Sequence, residues 1–280
     1  MSSYDALPPN ASDRNTEIIG DFMPQWWSAN WKNRLVFGAQ HPAYAIKSVL
    51  RDLFAMDERF LAALAGSTTS QFRQFLGEPF KHRRFYEHLQ SAEHQLDGTS
   101  SIGADLYAKR VLMQYAVIRA LKPDRVVETG IANGVSSSYI LLAMECNQKG
   151  AFYSIDVDDG SYLPNGKQVG WVVPAWLRER WIVRLGDARE LLPGIVAELK
   201  SLDVFIHDSS HTYEHMKFEF EQAYPYLRED GILISDDALT NPAFKEFADR
   251  VGTPMARVLR GVGFLKKRVV QPQQRNADRQ

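Results

Sequence analysis

The segment 125–143, which reads RVVETGIANGVSSSYILLA, limits the fold of this chain more than any other part of the sequence. A short β-branched run with Val126 and Val127 predicts a buried strand, and the interval from Gly130 to Gly134 predicts a tight turn into a helix. Glycine lets a backbone approach a ligand closely at positive φ, and unpaired N–H groups at a helix start can bind an anionic or polar ligand. The segment therefore predicts a nucleotide-like pocket at the carboxyl end of a central strand, although a turn without a ligand gives the same pattern.

Short apolar runs recur after this segment and are separated by stretches with helical spacing, including Ser136–Glu145 and Tyr213–Leu227. Such alternation predicts a parallel sheet with helices on both faces. Near the end of the chain, Ala256–Leu259 and Gly263–Arg268 predict a hairpin added at the sheet edge. The predicted parallel strands are Arg125–Glu128, Phe152–Asp156, Trp181–Leu185, Val204–Asp208 and Ile232–Asp236.

Composition and periodicity divide the chain into residues 1–20, 21–98, 99–270 and 271–280. The first and last of these regions are polar and without a period, so we expect flexible termini. The second has apolar residues at three- and four-residue spacing and is expected to be helical, whereas the third is the α/β domain. Trp26, Trp27 and Trp31 are expected to pack in a core, or alternatively to cover the pocket or form a homo-oligomer contact.

Charge and cysteine content limit the partners and the compartment. The formal net charge is −1, which provides no bulk field to attract nucleic acid or an acidic membrane. The single cysteine, Cys146, excludes an internal disulfide and suits a reducing compartment. No apolar run approaches the roughly 20 residues of a membrane span, and the N-terminal segment lacks a signal-peptide core. These features predict a cytoplasmic protein without nucleic-acid or membrane partners.

Four of the five predicted parallel strands end in or next to an acidic residue, and the fifth is followed by Gly186-Asp187. The carboxyl ends of parallel strands meet at one edge of the sheet, where α/β proteins bind ligands. A single acid at such a position is usually a helix cap, but several together repel one another unless a ligand, a metal or hydrogen bonds compensate. The residues concerned are Glu128, Asp156, Asp187, Asp208 and the pair Asp236-Asp237. Asp156 could accept hydrogen bonds from both ribose hydroxyls of an adenosine-containing cofactor, and Asp187 could meet an adenine amino group.

This layout resembles the class I S-adenosylmethionine (SAM)-dependent methyltransferases over about residues 100–270. The resemblance is carried by ETGIANGVSSSYILLA, YSIDVDDG, RLGDARELLP, FIHDSSHTYEHM and GILISDDALTN. It implies a Rossmann-like seven-stranded sheet with helices on both faces, to which the N-terminal helical region is added. The Gly-x-x-x-Gly turn argues against a nicotinamide dinucleotide enzyme, which would carry Gly-x-Gly-x-x-Gly. The implied SAM contacts are Glu128, Thr129, Gly130, Gly134, Ser136, Ser137, Asp156, Gly186, Asp187, Ala188 and Asp208.

The cluster HDSSHTYEH, residues 207–215, carries the predicted chemistry. Carboxylates of Asp208, Asp236 and Asp237 would form a hard oxygen site suited to Mg²⁺. The pattern resembles metal-dependent sugar O-methyltransferases related to macrocin O-methyltransferase and cephalosporin hydroxylase proteins, which have Asp-x-x-His and then two adjacent acids. The resemblance implies Asp208 as a metal-binding catalytic residue and His211 as the general base. The relatives often have Glu-Asp where this chain has Asp-Asp.

Several residues of this region also have plainer interpretations. His211 could cap the following helix, and the acid pair could cap the segment ahead of Asn241-Pro242. Asn241 is expected to cap the helix that starts there, and the alternative is that it extends the metal shell. His207 and His215 are expected to have structural or surface roles rather than to bind zinc, because His207 still belongs to the strand.

A long connection, residues 158–181, separates the second and third strands. Its aromatic residues Tyr162, Trp171 and Trp176 could close over the pocket, or Trp171 and Trp176 could fill the core between sheet and helices.

The sequence thus predicts methylation of a hydroxyl on a sugar or glycosylated small molecule, with SAM as donor, divalent-metal assistance and His211 as base. The alternatives are a metal-independent small-molecule N- or carboxyl-methyltransferase, a catalytically silent SAM-binding scaffold protein and, more distantly, a nicotinamide oxidoreductase.

Overall fold

The computed structural model describes residues 56–95, 108–157, 163–164 and 166–268. The expected flexible termini, the three tryptophans Trp26, Trp27 and Trp31, and the lid candidate Tyr162 lie outside the described residues. Within them, no helix has both the length and the apolar character needed to cross a bilayer.

The strands of the described residues form one seven-stranded sheet in the order β3-β2-β1-β4-β5-β7-β6. β1 to β5 run parallel, whereas β7 is antiparallel to both β5 and β6. This arrangement confirms the predicted parallel sheet with an edge hairpin. The strands are β1 Arg125–Thr129, β2 Ala151–Asp156, β3 Trp181–Leu185, β4 Leu202–His207, β5 Leu227–Ser235, β6 Ala256–Leu259 and β7 Val262–Lys266.

Helices cover both faces of the sheet, as predicted. They are α1 Met56–Leu64, α2 Thr69–Gly77, α3 Arg83–His94, α4 Lys109–Leu121, α5 Val135–Asn147, α6 Ala188–Leu199, α7 Tyr213–Ala223 and α8 Ala243–Val251. Short 3₁₀ helices lie at Pro79–Lys81, Ala175–Arg180 and Tyr224–Tyr226.

Alternation along the strands divides the interior into two cores. In β4, Val204 and Ile206 pack against α1 to α5, whereas Phe205 packs against α6 to α8. In β1, Val126 belongs to the first of these cores and Val127 to the second. Successive strand side chains point to opposite faces, so a strand buried on both faces needs an unbroken apolar run.

The described part of the N-terminal region, helices α1 to α3, packs against the sheet domain. Leu61, Phe72 and Phe85 are buried in the same core as α4 and α5. Glu78 accepts hydrogen bonds from Arg119 at 2.7 and 2.9 Å and one from the Tyr115 hydroxyl at 2.7 Å. The described helices therefore complete one face of the sheet instead of forming a separate core.

Several predicted boundaries differ from the structure. Helix α7 ends at Ala223, not at Leu227, and β5 starts at Leu227. Between them, Pro225 has no N–H with which to continue the helix, and the chain passes through a 3₁₀ turn. β4 and β5 end at His207 and Ser235, so the acidic residues lie one position beyond each strand.

Gly130 is the position at which the turn after β1 meets the loop after β4. Its φ is +86°, and a Cβ placed on it would lie 1.9 Å from the carbonyl oxygen of Asp208. Gly261, in the β6–β7 hairpin, has a similar φ of +90° but has open space around it. A substitution at Gly261 therefore introduces backbone strain alone, whereas one at Gly130 adds a steric clash to the same strain.

We predict that Gly261→Ala lowers the free energy of unfolding by about 1–2 kcal/mol, the cost of a left-handed alanine. Gly130→Ala should cost at least twice as much, because the loop after β4 must also move. Urea unfolding of the two variants and the wild type measures both effects. Equal losses would show that the turn does not press against the backbone of Asp208.

Candidate active site

A cleft opens at the carboxyl edge of the sheet. Helix α4 forms one wall, residues 131–136 of the turn after β1 form another, and Asp208 and Asp236 complete the lining. The cleft is open to solvent, and the empty space in it and at its mouth is about 490 Å³. The turn and two of the predicted acids thus face the same cavity.

Hydrogen bonds that continue the sheet beyond its strands fix the position of these acids. The amide of Asp208 donates to the carbonyl of Thr129 at 2.8 Å, and that of Asp236 donates to the carbonyl of His207 at 2.8 Å. Both residues are therefore held in register with the neighbouring strand. Asp156, the last residue of β2, lies on the opposite side of β1 because the strand order is β2-β1-β4.

Asp156 holds the turn after β1 in place. Its Oδ2 accepts hydrogen bonds from the amides of Ile131 and Ala132, at 2.6 and 2.7 Å. Gly134, at φ +83°, precedes helix α5, and a Cβ there would lie 2.9 Å from the Cα of Gly170. One carboxylate oxygen of Asp156 is thus engaged inside the protein, and its contact with a ribose stays a prediction.

Glu128 lies beneath the same turn and is fully buried. Its carboxylate accepts hydrogen bonds from the hydroxyls of Ser137 at 2.7 Å, Ser154 at 3.0 Å and Ser136 at 3.3 Å. Burial raises the pKa of Glu128 to about 8, although the serine hydroxyls partly offset the rise. In this structure Glu128, Ser136 and Ser137 support the turn from below, and a direct contact with SAM stays a prediction for each.

The residues after β3 are placed differently. Asp187 is exposed, and its carboxylate accepts a hydrogen bond from the amide of Arg189 at 2.7 Å, so it caps helix α6. Gly186 donates from its amide to the carbonyl of Asp156 at 2.7 Å, and Ala188 is buried in the core under α6. The structure thus shows a capping role for Asp187, and its contact with adenine stays a prediction.

Asp208, His211 and Asp236 converge on one point, where a ligand atom from each lies within 4.8 Å of the others. Nε2 of His211 is 3.6 Å from Oδ1 of Asp208. Asp237 faces the other ring nitrogen, with its Oδ2 3.5 Å from Nδ1 of His211, and is about half exposed. Two carboxylates and an imidazole fit a divalent cation, so the donor chemistry is compatible with the metal implied by the resemblance. Asp237 as a metal ligand stays a prediction.

The charges in this cluster influence one another. Desolvation in the cleft raises the pKa of Asp208 to about 7, and the neighbouring Asp236 carboxylate adds to the rise. The Asp208 carboxylate in turn raises the pKa of His211. Nη1 of Arg110, from α4, lies 3.5 Å from Oδ2 of Asp236 and supplies a positive charge at the same edge.

The buried carboxylate of Glu219, on α7, forms hydrogen bonds to the ends of β1 and β4 and to the loop after β4. Glu219 accepts hydrogen bonds from the Thr129 hydroxyl at 2.5 Å, His207 Nδ1 at 2.6 Å, Ser209 Oγ at 2.8 Å and His215 Nε2 at 2.8 Å. Burial raises the pKa of Glu219, but these donors outweigh it and lower the pKa to about 2. His207 and His215 therefore have the structural roles that the sequence favoured.

Sequence reasoning missed Glu219, although a signal was available. The residue occupies the apolar stripe of α7 formed by Met216, Phe220 and Ala223, where a carboxylate needs buried partners. His207 also contacts the catalytic candidate directly: its ring meets that of His211 edge to face, with centroids 5.4 Å apart.

The remaining candidates have partners within the fold. Asn241 accepts a hydrogen bond from the amide of Ala243 at 2.9 Å and donates to the carbonyl of His211 at 3.0 Å, which fits the capping interpretation. Nε1 of Trp171 donates to Oδ1 of Asn133 at 2.6 Å, so Trp171 contacts the turn. Trp176 packs against the core, and the guanidinium of Arg84 lies 4.7 Å from its ring.

Residues 127–238 match the family model for a methyltransferase domain. These residues therefore belong to a methyltransferase domain, and the seven-stranded sheet has the class I order. Within this segment, the match confirms the resemblance read from the sequence. No protein among the curated sequences matches it significantly.

Several solved structures are similar to this chain. MycE from the mycinamycin pathway, in complex with Mg, S-adenosylhomocysteine (SAH) and mycinamycin VI, is 18% identical over 54% of this chain and 46% of its own, with a TM-score of 0.40. The chain thus spans about half the length of MycE. A putative O-methyltransferase from Klebsiella pneumoniae is 16% identical over 66% and 89%, with a TM-score of 0.47. CalS11, a TDP-rhamnose 3'-O-methyltransferase, is 17% identical over 66% and 94%, with a TM-score of 0.43. Similarity at this level does not assign an activity.

We predict that Glu128→Gln flattens the pH dependence of stability. A carboxyl whose pKa is higher when folded stabilises the protein fully below its ordinary value near 4.5 and loses this contribution as the pH rises through about 8. Glutamine keeps an acceptor for the serines but does not titrate. Urea unfolding between pH 5 and 8.5 should show a slope difference of up to ~1.4 kcal/mol per pH unit.

The exposed Glu190→Gln serves as the matched control for that substitution, since it changes the same chemical group outside the core. Its profile should run parallel to that of the wild type. A parallel profile for Glu128→Gln as well would contradict the raised pKa.

Proposed function

We propose that this methyltransferase transfers the methyl group of SAM to a hydroxyl on a sugar or glycosylated small molecule, with help from a divalent cation. The observation that carries this proposal is the convergence of Asp208, His211 and Asp236 beside the glycine turn. The acceptor class rests on the sequence resemblance to metal-dependent sugar O-methyltransferases.

The order of the strands supports a donor that lies across the end of β1. Asp156 follows one neighbouring strand and Asp208 follows the other, so an adenosyl group at Asp156 would direct its sulfonium toward Asp208. SAM supplies the electrophilic methyl carbon. The chain's own part is to bring the turn close to the loop after β4: Gly130 allows this approach, because a side chain there would overlap the carbonyl of Asp208.

The acids and the imidazole have distinct proposed roles. Asp208 and Asp236 would hold a divalent cation, which lowers the pKa of a hydroxyl that it binds. His211 would accept the hydroxyl proton. Asp237, beside Nδ1, favours the proton on that nitrogen, so Nε2 stays free to act as the base on the side of Asp208.

One contact favours a second candidate, a metal-independent methyltransferase for an amine or carboxylate. Arg110 already places a positive charge 3.5 Å from Asp236, which offsets the repulsion between acids without a metal ion. A carboxylate acceptor could pair with the same guanidinium. Activity that survives a strong chelator would support this candidate over the first.

We predict that the wild type binds SAH with micromolar affinity and one Mn²⁺ per chain, both measured by calorimetry. Asp208→Asn should remove Mn²⁺ binding because it neutralises a ligand, and His211→Gln should lower the rate of SAH formation by roughly 10²–10⁴-fold. Turnover is measured with SAM and a panel of hexosides and nucleotide sugars.

Both variants should keep SAH affinity within about threefold of the wild type, because no backbone contact of the turn is changed. Asp249→Asn, an exposed change on α8, is the matched control and should alter nothing. Absence of SAH binding by folded wild type would refute the donor, whereas unchanged Mn²⁺ binding by Asp208→Asn would refute the proposed cation site.

A further inference from the structure

Gln114 has an unexplained place in the cleft. Its side chain is only 2% exposed and lines the cavity, and among the described residues its Oε1 has no hydrogen-bond partner. A buried acceptor left without a donor destabilises a protein, so native structures almost always supply one. The geometry indicates that the missing donor is brought by a ligand.

Helix α4 carries a second polar residue on the same side. Arg110 precedes Gln114 by four positions, which places the two side chains on one face of the helix, and both line the cleft. Val111, Met113 and Tyr115 on this helix are buried among apolar groups. Gln114 is thus a polar side chain among the buried residues of this helix.

The sheet order decides which part of a ligand reaches this wall. A donor that lies across β1 has its ribose on the side of Asp156 and its methyl group toward Asp208 and Asp236. The third substituent of the sulfur, an α-amino acid, must then extend between the turn and α4. That group carries an ammonium, which donates hydrogen bonds, and a carboxylate, which accepts them.

We infer that Gln114 and Arg110 bind the α-amino-acid end of the methyl donor. The Oε1 of Gln114 accepts a hydrogen bond from the ammonium, and the guanidinium of Arg110 pairs with the carboxylate. This inference rests on the proposed function, since it assumes that SAM is the donor. It adds two residues from outside the matched methyltransferase segment to the binding site.

Two ligands that differ only in the amino acid test this assignment. SAH carries it, whereas 5′-methylthioadenosine has the same adenosine and thioether without it. By calorimetry, Gln114→Leu and Arg110→Ala should each weaken SAH binding about tenfold or more, the effect of losing a hydrogen bond to a charged group. Binding of 5′-methylthioadenosine should change by less than about twofold.

Lys109→Ala is the matched control, since Lys109 neighbours Arg110 on the helix but does not line the cleft. It should leave both affinities unchanged. Thermal unfolding of the free protein gives an independent readout: Gln114→Leu removes an unpaired buried acceptor and should not lower Tm. Gln114→Met, which keeps an unbranched side chain of similar length, repeats the test if the leucine variant does not fold.

Equal losses for the two ligands, or no loss for SAH, would overturn the assignment. Failure of the wild type to bind SAH would instead reject the proposed donor itself, so the two failures are distinguishable.

Discussion

The candidate active site of this protein depends on hydrogen bonds that extend the parallel sheet beyond its strands. The amide of Asp208 donates to β1, and the amide of Asp236 donates to β4. Each loop therefore starts in register with its neighbour, and the side chains that follow are placed by the sheet and not by the loops. Gly130 makes this possible, because any side chain there would overlap the carbonyl of Asp208.

Two buried carboxylates, Glu128 and Glu219, hold the turn after β1 and the loop after β4 through hydrogen bonds. Glu128 is surrounded by serine hydroxyls, and its pKa rises, whereas Glu219 accepts bonds from two histidines, and its pKa falls. The difference follows from the donors: neutral hydroxyls offset little of the cost of burying a charge, but imidazoles that can carry charge offset more. Glu219 joins the ends of β1 and β4 to α7, so it fixes the loop that carries His211.

Much of the fold could be predicted from the sequence because its strands are buried on both faces. An unbroken apolar run such as Val204–Ile206, with the acid Asp208 two positions after it, identifies both the strand and its end. The end of α7 was harder to predict from the sequence. Leu227 continues the apolar stripe formed by Met216, Phe220 and Ala223, although it starts a strand.

The site could be predicted only in part. The residues that follow strands were found, because the edge of a parallel sheet brings them together. Gln114 and Glu219 were missed, because their significance depends on partners or a cavity formed by distant segments. Asp187 and Asp237 were found, but their contacts were not. Asp187 caps α6 and Asp237 contacts His211, and both contacts depend on local geometry that a pattern of residue types does not specify.

The most direct test of the account is a crystal structure of the protein grown with SAH and Mn²⁺, with anomalous scattering used to locate the metal. We predict an SAH molecule along the turn after β1, with its ribose near Asp156, and an anomalous peak between the carboxylates of Asp208 and Asp236. A nucleoside bound elsewhere, or a peak remote from both carboxylates, would contradict the claim that one edge of the sheet holds donor and cation together.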